Sequence, residues 1–553
     1  MKDVNKNDYE IQQSLWDHLE SCDDKGIEFF IEDKLDFNFY SYQELYYRSL
    51  TVKDKLEALG VSRGDRVLLC AQNSPEFVLT WLGLWMLGAV PVPMPPSITM
   101  SGGGSFSQRV APLLNFHQFF ICERNDHMLW QALPNADMVE FVEMKNLTSV
   151  AMVSPLSVEP NRENSVERRV AYEDDAFIQY TSGSTSAPKG IIISYRNVTD
   201  NISAITERIG VTSERDTYIS WLPTYHDYGL VANFLMCLFN QIPMVMVTPF
   251  YFVKRPLRFM EFVQRFQATC VCMPNFALEV ILRAVAIKKP KVEDLNISSL
   301  RWWSVAAEPI APETITALRN VLGRYGLGEG VINPSYGLAE ATVGVSGNAA
   351  GGEILIVGGE KRFVANGPLL RGFDYELRDV QPDGSGRLHL RGDSVAKWAY
   401  VDGERVALLD EKGFCDTRDI AVFKDDELII FGRGDEMFSR RGENIFPYDI
   451  ECFVRNYAPL QVRRAACFNL VDPVNNSEKL VVLYESRIKK EAFHTTIKPE
   501  LFAQIQADTG VKVDEILWVP AHTIPVTTSG KIQRTKAASL YTSSIHSYST
   551  AAQ

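Results

Sequence analysis

The run YTSGSTSAPKG, residues 180–190, decides how this chain is interpreted. Residues 181–186 are all hydroxyl-bearing or glycine, so their backbone N–H groups and side-chain oxygens can converge on one anion. Lys189 adds a positive charge, and Pro188 stiffens the exit of the loop. Because Pro188 stands where a Walker A loop has glycine, the run is not that motif. Taken alone it could be a flexible linker, but its composition favours a cradle for a polyphosphate.

Length and composition indicate a globular enzyme with more than one domain. The chain has 553 residues, too many for a single core, with 46% hydrophobic and 23% charged residues. A net charge of −13 argues against a nucleic-acid partner. The nine cysteines are scattered along the chain and lie mostly in apolar runs. We therefore expect reduced thiols in a cytoplasmic protein, and we expect Cys270 and Cys272 to lie on one buried strand. The N-terminal residues have no apolar segment, so we expect no signal peptide.

An uncharged run of 18 residues, 77–94, could suggest a membrane-spanning helix. Pro75 opens this run, Gly88 interrupts it, and several prolines break its end. Residues 66–71 upstream have the pattern of a short strand, and residues 89–92 of a second one. We therefore predict a βαβ unit covered on both faces and no stable insertion into a membrane.

The pattern along the chain predicts an α/β fold followed by a smaller domain. Short apolar strands alternate with helices up to about residue 430, which favours substantially parallel sheets. A strand at 427–433 then leads into a basic turn, SRRGEN, at 439–444. We predict a hinge at Asp435, which divides the chain into domains of residues 1–434 and 435–553.

Further motifs follow the phosphate loop in a fixed order. They are WLPTYHDYGL (221–230), PNFALEV (274–280), AAEP (306–309), YGLAEAT (336–342), RLHLRGDSVA (387–396), FCDTRD (414–419), FGRGDEMFSRRGENIFPYDIE (431–451) and PVTTSGKIQR (525–534). In this order the set resembles the adenylate-forming enzymes, which include acyl-CoA synthetases, adenylation domains and luciferases. The resemblance extends from about residue 42 to residue 534. It implies a large N-terminal domain of α/β subdomains and a small, mobile α+β C-terminal domain.

Within that superfamily the chain looks most like the fatty acyl-AMP ligases. The segments WLPTYHDYGL, 249–269, PNFA and PVPMPPS (91–97) are typical of that branch. The chain departs from the pattern at Ser186 and Arg418, where glycine is usual, at 305–309, and in the short segment between 342 and 367. Its RRGENIFPYDIE segment is equally close to CoA ligases. The resemblance implies that ATP and Mg²⁺ activate a carboxylic acid, of fatty type, to acyl-AMP with release of pyrophosphate.

The resemblance also implies roles for individual residues. The ATP phosphates are assigned to Thr181, Ser182, Gly183, Ser184, Thr185 and Lys189. Adenine and ribose are assigned to Ala306, Ala307, Glu308, Tyr336, Gly337, Asp419 and Arg433. Catalytic roles fall to Lys531, Glu340 and His226, with Glu340 as the Mg²⁺ ligand and Asp435 as the hinge. The acyl pocket is assigned to His226, Asn275 and Trp303.

One pocket residue follows from strand geometry. Trp302 and Trp303 precede Ala306 on a predicted strand, so they face opposite sides. We expect Trp303 to point toward the substrate and to favour medium-length, short or aromatic acids over long ones.

The acyl acceptor is the most open part of the prediction. The resemblance implies the phosphopantetheine thiol of a holo acyl carrier protein. Beyond residue 435 the chain has 14 Lys and Arg against 12 Asp and Glu, a balance that suits an acidic carrier. The alternatives are an acyl-CoA synthetase that uses free CoA, a non-catalytic acyl- or nucleotide-binding homologue, and a luciferase-like oxygenase.

Overall fold

The computed structural model describes residues 10–97, 111, 113–124, 126, 133, 135–153, 170–181, 189–358, 362–440, 443–457, 461–471, 478–488, 491–509, 511–527 and 531–545. Its largest sheet has eight strands in the order β14–β13–β12–β11–β9–β10–β1–β2. The strands are β1 Gly26–Ile31, β2 Asp36–Ser41, β9 Tyr218–Ser220, β10 Met244–Met246, β11 Cys270–Pro274, β12 Trp302–Ala306, β13 Ile332–Gly337 and β14 Gly344–Gly347. All neighbours pair in parallel except the antiparallel edge strands β2 and β14.

A second, parallel sheet has the order β4–β3–β5–β6. Its strands are β3 Arg66–Cys70, β4 Val90–Met94, β5 Phe119–Cys122 and β6 Glu140–Glu143. The uncharged run forms helix α3, Pro75–Leu87, which Ser74 caps and which Gly88 ends in the left-handed region at φ 69°. Since β3 and β4 pair in parallel on either side of α3, the predicted βαβ unit is confirmed.

The helices of the N-terminal part pack around these two sheets. Besides α3 they are α1 Glu10–Ser21, α2 Tyr42–Ala58, α4 Met144–Val153, α5 Tyr195–Ile209, α6 Asp227–Gly229, α7 Met236–Asn240, α8 Pro249–Lys254, α9 Pro256–Arg265, α10 Asn275–Lys288 and α11 Pro312–Leu322. A π-helical segment, Leu230–Leu235, joins α6 to α7. One continuous core of buried apolar side chains spans most of these elements.

Antiparallel pairing dominates residues 175–181, 189–194 and 332–433, where the sequence predicted parallel sheets. One sheet runs β20–β19–β8–β7 and another β17–β18–β21–β22. Their strands are β7 Asp175–Thr181, β8 Lys189–Ser194, β17 Asp374–Arg378, β18 Gly386–Arg391, β19 Trp398–Val401, β20 Glu404–Ala407, β21 Cys415–Lys424 and β22 Glu427–Arg433; a small pair is β15 Ile356–Val357 and β16 Phe363–Val364. Short turns such as the one at Gly403, φ 83°, return the chain directly, so no crossover helix is needed.

The residues beyond Asp435 form their own layer. A hairpin, β23 Phe438–Arg440 and β24 Glu443–Ile445, precedes a three-stranded sheet of β25 Val462–Val471, β26 Glu478–Ser486 and β27 Glu515–Pro520. The helices are α12 Pro447–Tyr457, α13 Glu491–Thr509 and α14 Arg534–Leu540. Two apolar clusters, one on each face of this sheet, are built from residues of this part of the chain. This arrangement is consistent with the predicted α+β domain; the boundary at Asp435 and its mobility stay predictions.

Two smaller expectations can be compared with the structure. All nine cysteines are buried, and Cys270 and Cys272 lie on β11 as predicted. Within the described ranges, no helix combines the length and the apolar character that a bilayer crossing requires.

Candidate active site

A cavity of about 2250 Å³ opens at the carboxyl ends of β11, β12 and β13. This is the edge at which parallel α/β sheets place their ligands. Residues of β21, β22 and the segment that precedes α14 complete its wall. Thirteen of the predicted site residues line it: Thr181, Lys189, His226, Ala306, Ala307, Glu308, Tyr336, Gly337, Glu340, Asp419, Arg433, Asp435 and Lys531. The phosphate-loop residues Ser182, Gly183, Ser184 and Thr185 lie outside the described residues, as does Ser186.

The two ends of the phosphate loop are fixed by strand pairing. Thr181 ends β7 and Lys189 begins β8, and the two residues are partners in the antiparallel register. The Lys189 Nζ lies 3.4 Å from the Glu340 Oε1, and both side chains are about one-quarter exposed. A cation and a carboxylate therefore stand together beside the loop that was predicted to bind phosphates.

Strained backbone holds Glu340 in place. Thr342 has φ 69° and ψ −62°, and the Val343 N–H donates to the Ala341 carbonyl at 2.8 Å, which makes a γ-turn. The Thr342 hydroxyl donates to the Ser394 carbonyl at 2.7 Å, and the Ala396 N–H donates to the Glu340 carbonyl at 2.8 Å. Such a conformation of a β-branched residue costs about 1–3 kcal/mol and persists only where its surroundings fix it. The position of Glu340 is therefore preorganised.

A second cluster of polar and charged side chains surrounds Asp419, which lies on β21. The Tyr336 hydroxyl donates a short hydrogen bond to the Asp419 carboxylate. Arg433 is the register partner of Asp419, with its Nε 3.9 Å from the Asp419 Oδ1. Arg418 has φ 64°, where glycine is favoured, but its side chain turns toward Asp435 at 3.9 Å and is half exposed. The substitution of glycine by Arg418 thus leaves Asp419 in the cavity wall.

The pKa of Asp419 predicts how nucleotide binding depends on pH. Burial raises this pKa to about 6, although Arg433 and Tyr336 oppose the shift. If Asp419 accepts hydrogen bonds from the ribose, protonation below pH 6 weakens ATP binding. We expect the KM for ATP to rise by up to about tenfold per pH unit below 6. The difference between the pH profiles of the wild type and Asp419→Asn isolates this effect, and identical profiles would refute it.

The same shift affects stability with a defined sign. The folded-state pKa of Asp419 is raised above its unfolded value, so the folded protein holds this proton more tightly. The resulting stabilisation is complete below the unfolded pKa, about 3.9, and is lost as the pH rises through about 6.

The turn that follows β12 forms a further part of the cavity wall. Ala307 adopts φ 69°, a left-handed conformation that turns the chain at the end of the strand. The next residue, Glu308, accepts the Phe276 N–H at 3.0 Å, and burial raises the pKa of the Glu308 carboxyl. This contact ties the turn to the start of α10.

His226 and Asp227 begin α6, as the sequence predicted. The His226 Nδ1 lies 2.6 Å from the Asp227 Oδ1, which also accepts the Tyr228 N–H at 2.6 Å. Burial opposes ionisation of Asp227, but His226 and Lys531 outweigh it, so its pKa lies below the ordinary value. Asp227 was not predicted as a site residue, although its place beside His226 in the motif could have indicated it.

Lys531 reaches this site from the C-terminal part. The Lys531 N–H donates to the Thr527 hydroxyl at 3.0 Å, and the Thr527 N–H donates to the Lys531 carbonyl at 2.7 Å. Arg534 anchors the turn through a buried pair with Glu451 at 2.7 Å. The Lys531 charge adds to that of His226 in lowering the pKa of Asp227, and it opposes the rise that burial causes in the pKa of Asp419.

Two predicted acyl-pocket residues lie elsewhere. Trp303 is wholly buried and does not line the cavity, whereas Trp302 does, together with Ser304 and Ala306. The predicted alternation of Trp302 and Trp303 along β12 is right, but the face that carries Trp302, and not the face that carries Trp303, meets the cavity. Asn275 is also wholly buried, and its amide donates to Glu279 within α10 at 3.3 Å. Phe276, the next residue, lines the cavity instead.

Contacts between the two parts of the chain were not predicted. The Arg455 guanidinium on α12 lies 3.6 Å from Glu279 on α10, and the Tyr448 hydroxyl donates to the Pro309 carbonyl at 2.6 Å. No local pattern links residues this far apart, so only the folded chain reveals the pairing.

Comparisons with known proteins agree with this geometry. The sequence model described as "AMP-binding enzyme" matches residues 25–400. The chain is 29% identical to the medium-chain-fatty-acid–[acyl-carrier-protein] ligase JamA of Moorena producens, with 92% of this chain and 91% of the relative covered. It is 27% identical to the 4-hydroxyphenylalkanoate adenylyltransferase of Mycobacterium marinum, with 91% and 85% covered.

A solved structure from a study of fatty acyl-adenylate ligases of E. coli and L. pneumophila is 26% identical. It superposes with a TM-score of 0.84 and covers 96% of this chain and 98% of its own. The predicted fold class and the predicted ligase class, that of acyl-AMP ligases, are confirmed. Because the sequence model matches residues 25–400, more than half of the chain, the protein belongs to the AMP-binding enzyme family.

Proposed function

We propose that this enzyme activates a medium-length carboxylic acid to acyl-AMP and passes the acyl group to the phosphopantetheine thiol of an acyl carrier protein. One observation carries the proposal. A single cavity brings together the Lys189–Glu340 pair, the Tyr336–Asp419 pair and Lys531, which come from distant parts of the sequence. The buried cysteines suit a cytoplasmic enzyme, and we place it there.

The first half-reaction follows from these groups. A carboxylate oxygen attacks the α-phosphorus of ATP, and the bond to the pyrophosphate oxygen breaks. Negative charge builds on the phosphoryl oxygens, so fixed positive groups lower the barrier. Lys189 suits the outgoing phosphates, and Lys531 suits the α-phosphate and the acid. Asp419 can accept the ribose hydroxyls, while Tyr336 and the turn at Ala307 frame adenine.

The donor set also suits a magnesium ion. Mg²⁺ typically binds through one or two carboxylates together with substrate phosphates, and it neutralises charge on those phosphates. Glu340 is the carboxylate beside the phosphate loop, and in this structure it pairs with Lys189. Within the described residues, no group of three or more potential metal ligands forms a separate site.

Glu340→Gln tests this role. We expect lower activity and a higher Mg²⁺ concentration at half-maximal rate, because a neutral amide is a weaker ligand for a hard cation. A magnesium titration of pyrophosphate release measures the change. Glu404→Gln, at an exposed glutamate of β20 outside the cavity, is the matched control. An unchanged titration in Glu340→Gln would make the residue structural.

The acyl chain is proposed to run along β12. Ser304 and Trp302 precede Ala306 along the strand on the cavity side, and Ile205 and Ile209 of α5 line the same cavity. Four residue steps along a strand span about 13 Å, so Trp302 would close a pocket of limited depth. This geometry favours medium-length acids.

Replacing Trp302 should lengthen the preferred acid. In Trp302→Ala, each additional methylene that enters the space vacated by the indole gains about 0.8 kcal/mol, roughly fourfold in kcat/KM for a longer acid. The profile of kcat/KM against chain length measures the shift. Trp303→Phe, on the opposite face of β12, should leave the profile unchanged. An unaltered profile in Trp302→Ala would refute the pocket assignment.

In the second half-reaction the thiol sulfur attacks the acyl carbonyl. The C–O bond to AMP breaks, a thioester forms, and the thiol proton leaves to solvent or to AMP. The deciding experiment measures pyrophosphate release over a panel of carboxylic acids. It then supplies holo carrier proteins or CoA. Discharge of acyl-AMP onto a carrier supports the proposal, whereas saturable acyl-CoA formation would identify an acyl-CoA synthetase.

A further inference from the structure

Three hydroxyl groups meet on the face of β12 that borders the cavity. Ser304 is the register partner of Asn333, and Ser335 lies two residues further along β13, on the same face. The Ser304 and Ser335 Oγ atoms are 3.1 Å apart. The Tyr228 hydroxyl, on α6, donates to the Ser304 Oγ at 2.7 Å. We call Tyr228, Ser304 and Ser335 the hydroxyl cluster.

The hydroxyl cluster lies part-way along the proposed acyl pocket. Its three residues line the cavity, as do Ala306 and Trp302. Ser304 stands two residues before Ala306 and two residues after Trp302, so each of these neighbours on the strand is about 7 Å away. An acid that enters beside Ala306 and ends at Trp302 therefore passes the hydroxyl cluster with the middle of its chain.

Ser335 is the member of the cluster that can take a further partner. It is partly exposed, whereas Ser304 and Tyr228 are buried. On β11, Cys272 is the register partner of Ser304, and its thiol interacts with Ser304 and Tyr228.

The hydrogen bonds of Ser335 leave an acceptor position open. A hydroxyl has one hydrogen and two acceptor positions. If Ser304 donates to Ser335, the Ser335 hydrogen goes to the Asn333 carbonyl at 3.2 Å. Whichever of the two serines donates to the other, the Ser335 oxygen keeps at least one acceptor position within the part of the chain that the structure describes.

A plain hydrocarbon chain suits this face poorly. It would cover the Ser335 oxygen and exclude water without offering a hydrogen-bond donor, and an unpaired buried polar group is costly. A hydroxyl group on the acyl chain would donate to that oxygen instead. Sites that hydrogen-bond a substrate hydroxyl discriminate strongly against the analogue that lacks it. The face therefore favours an acid that carries a polar substituent.

We propose that the preferred acid carries a hydroxyl group near the middle of its chain and that Ser335 and Ser304 bind this group. The inference rests on the proposed function, because it concerns the acid that is activated. The hydroxyl cluster then selects the substituent, while Trp302 limits the length. The substrate class is that of hydroxylated medium-length carboxylic acids.

A selectivity measurement gives the first test. The probes are the straight-chain acid from hexanoic to decanoic acid that has the highest kcat/KM, and its monohydroxylated positional isomers. Pyrophosphate release by the full-length enzyme gives kcat/KM for each acid. We expect the wild type to favour at least one mid-chain isomer over the unsubstituted acid by about tenfold or more, the effect of pairing a buried polar group.

The double variant Ser304→Ala/Ser335→Ala removes both serine hydroxyls from this face. Its preference for the hydroxylated acid should fall below about threefold, and the ratio is taken within one preparation, so it does not depend on the folded fraction. Ser49→Ala, at a buried serine of α2 outside the cavity, should keep the wild-type preference. Equal use of the unsubstituted acid and all of its isomers by the wild type would overturn the proposal, as would a preference that persists in the double variant.

Equilibrium binding gives the second test and separates this inference from the proposed function. The probes are the acyl-sulfamoyladenosines of octanoic acid and of its monohydroxylated isomers, which are stable mimics of acyl-AMP. The wild type should bind at least one hydroxylated mimic about tenfold more tightly than the octanoyl mimic, and the double variant should bind the two alike. Equal binding of all mimics to the wild type would overturn the proposal. Absence of pyrophosphate release with every acid would refute the proposed activation, whereas the binding result would still decide the hydroxyl site.

Discussion

Lys531→Ala is expected to slow acyl-AMP formation by about 10²–10³-fold while ATP still binds. Losing one preorganised charge that acts on the transition state typically costs this much. Lys531 enters the cavity from the C-terminal part, where its charge favours the ionised forms of Asp227 and Asp419. Asp419 and Lys189, which suit the nucleotide itself, remain in place in this variant, so the loss should fall on the rate rather than on ATP affinity.

Two measurements separate these effects. Pyrophosphate release gives the rate of the first half-reaction, and equilibrium titration gives the affinity for ATP. Transfer from supplied acyl-AMP to the acceptor thiol should be largely spared, because no phosphoryl group moves in that step. Lys498→Ala, on α13, serves as the control. A wild-type rate of pyrophosphate release in Lys531→Ala would remove the residue from catalysis.

Local sequence patterns predicted the parts of this structure that depend on neighbours along the chain. The βαβ unit around α3 follows from Pro75, Gly88 and an apolar run, and His226 begins a helix as its motif indicated. The motifs also predicted Glu340 and Asp419 as site residues, and both line the cavity, Glu340 just after β13 and Asp419 within β21.

Features that depend on which face of one element packs against another element could not be predicted from local sequence patterns. The period of β12 separates Trp302 from Trp303, but the period alone does not say which of the two meets the cavity; the folded structure places Trp302 there. In the stretch 332–433 tight turns such as the one at Gly403 return the chain directly, so that most strands there pair antiparallel. Arg283 meets the Val462 carbonyl across 179 residues of sequence, a contact that no local pattern encodes.

Asp419→Ala should raise the KM for ATP about 10²-fold or more. The buried carboxylate is suited to accept both ribose hydroxyls, and each hydrogen bond to a charged group contributes about 1.5–3 kcal/mol. The substitution also leaves the Tyr336 hydroxyl without its acceptor. In this variant Arg433 still pairs with Asp435, 3.2 Å away, so we expect weaker nucleotide binding rather than a loss of folding stability.

A comparison with 2′-deoxy-ATP makes the test specific to the ribose. If Asp419 accepts the 2′-hydroxyl, the wild type should discriminate against the deoxynucleotide about tenfold or more, and Asp419→Ala should discriminate hardly at all. Asp374→Ala, which removes an exposed partner of Arg391 on the same sheet, should preserve the wild-type discrimination. Full discrimination in Asp419→Ala would mean that another group binds the ribose. Loss of the discrimination in Asp419→Ala, together with an unchanged affinity for the acid, would place the 2′-hydroxyl on this carboxylate.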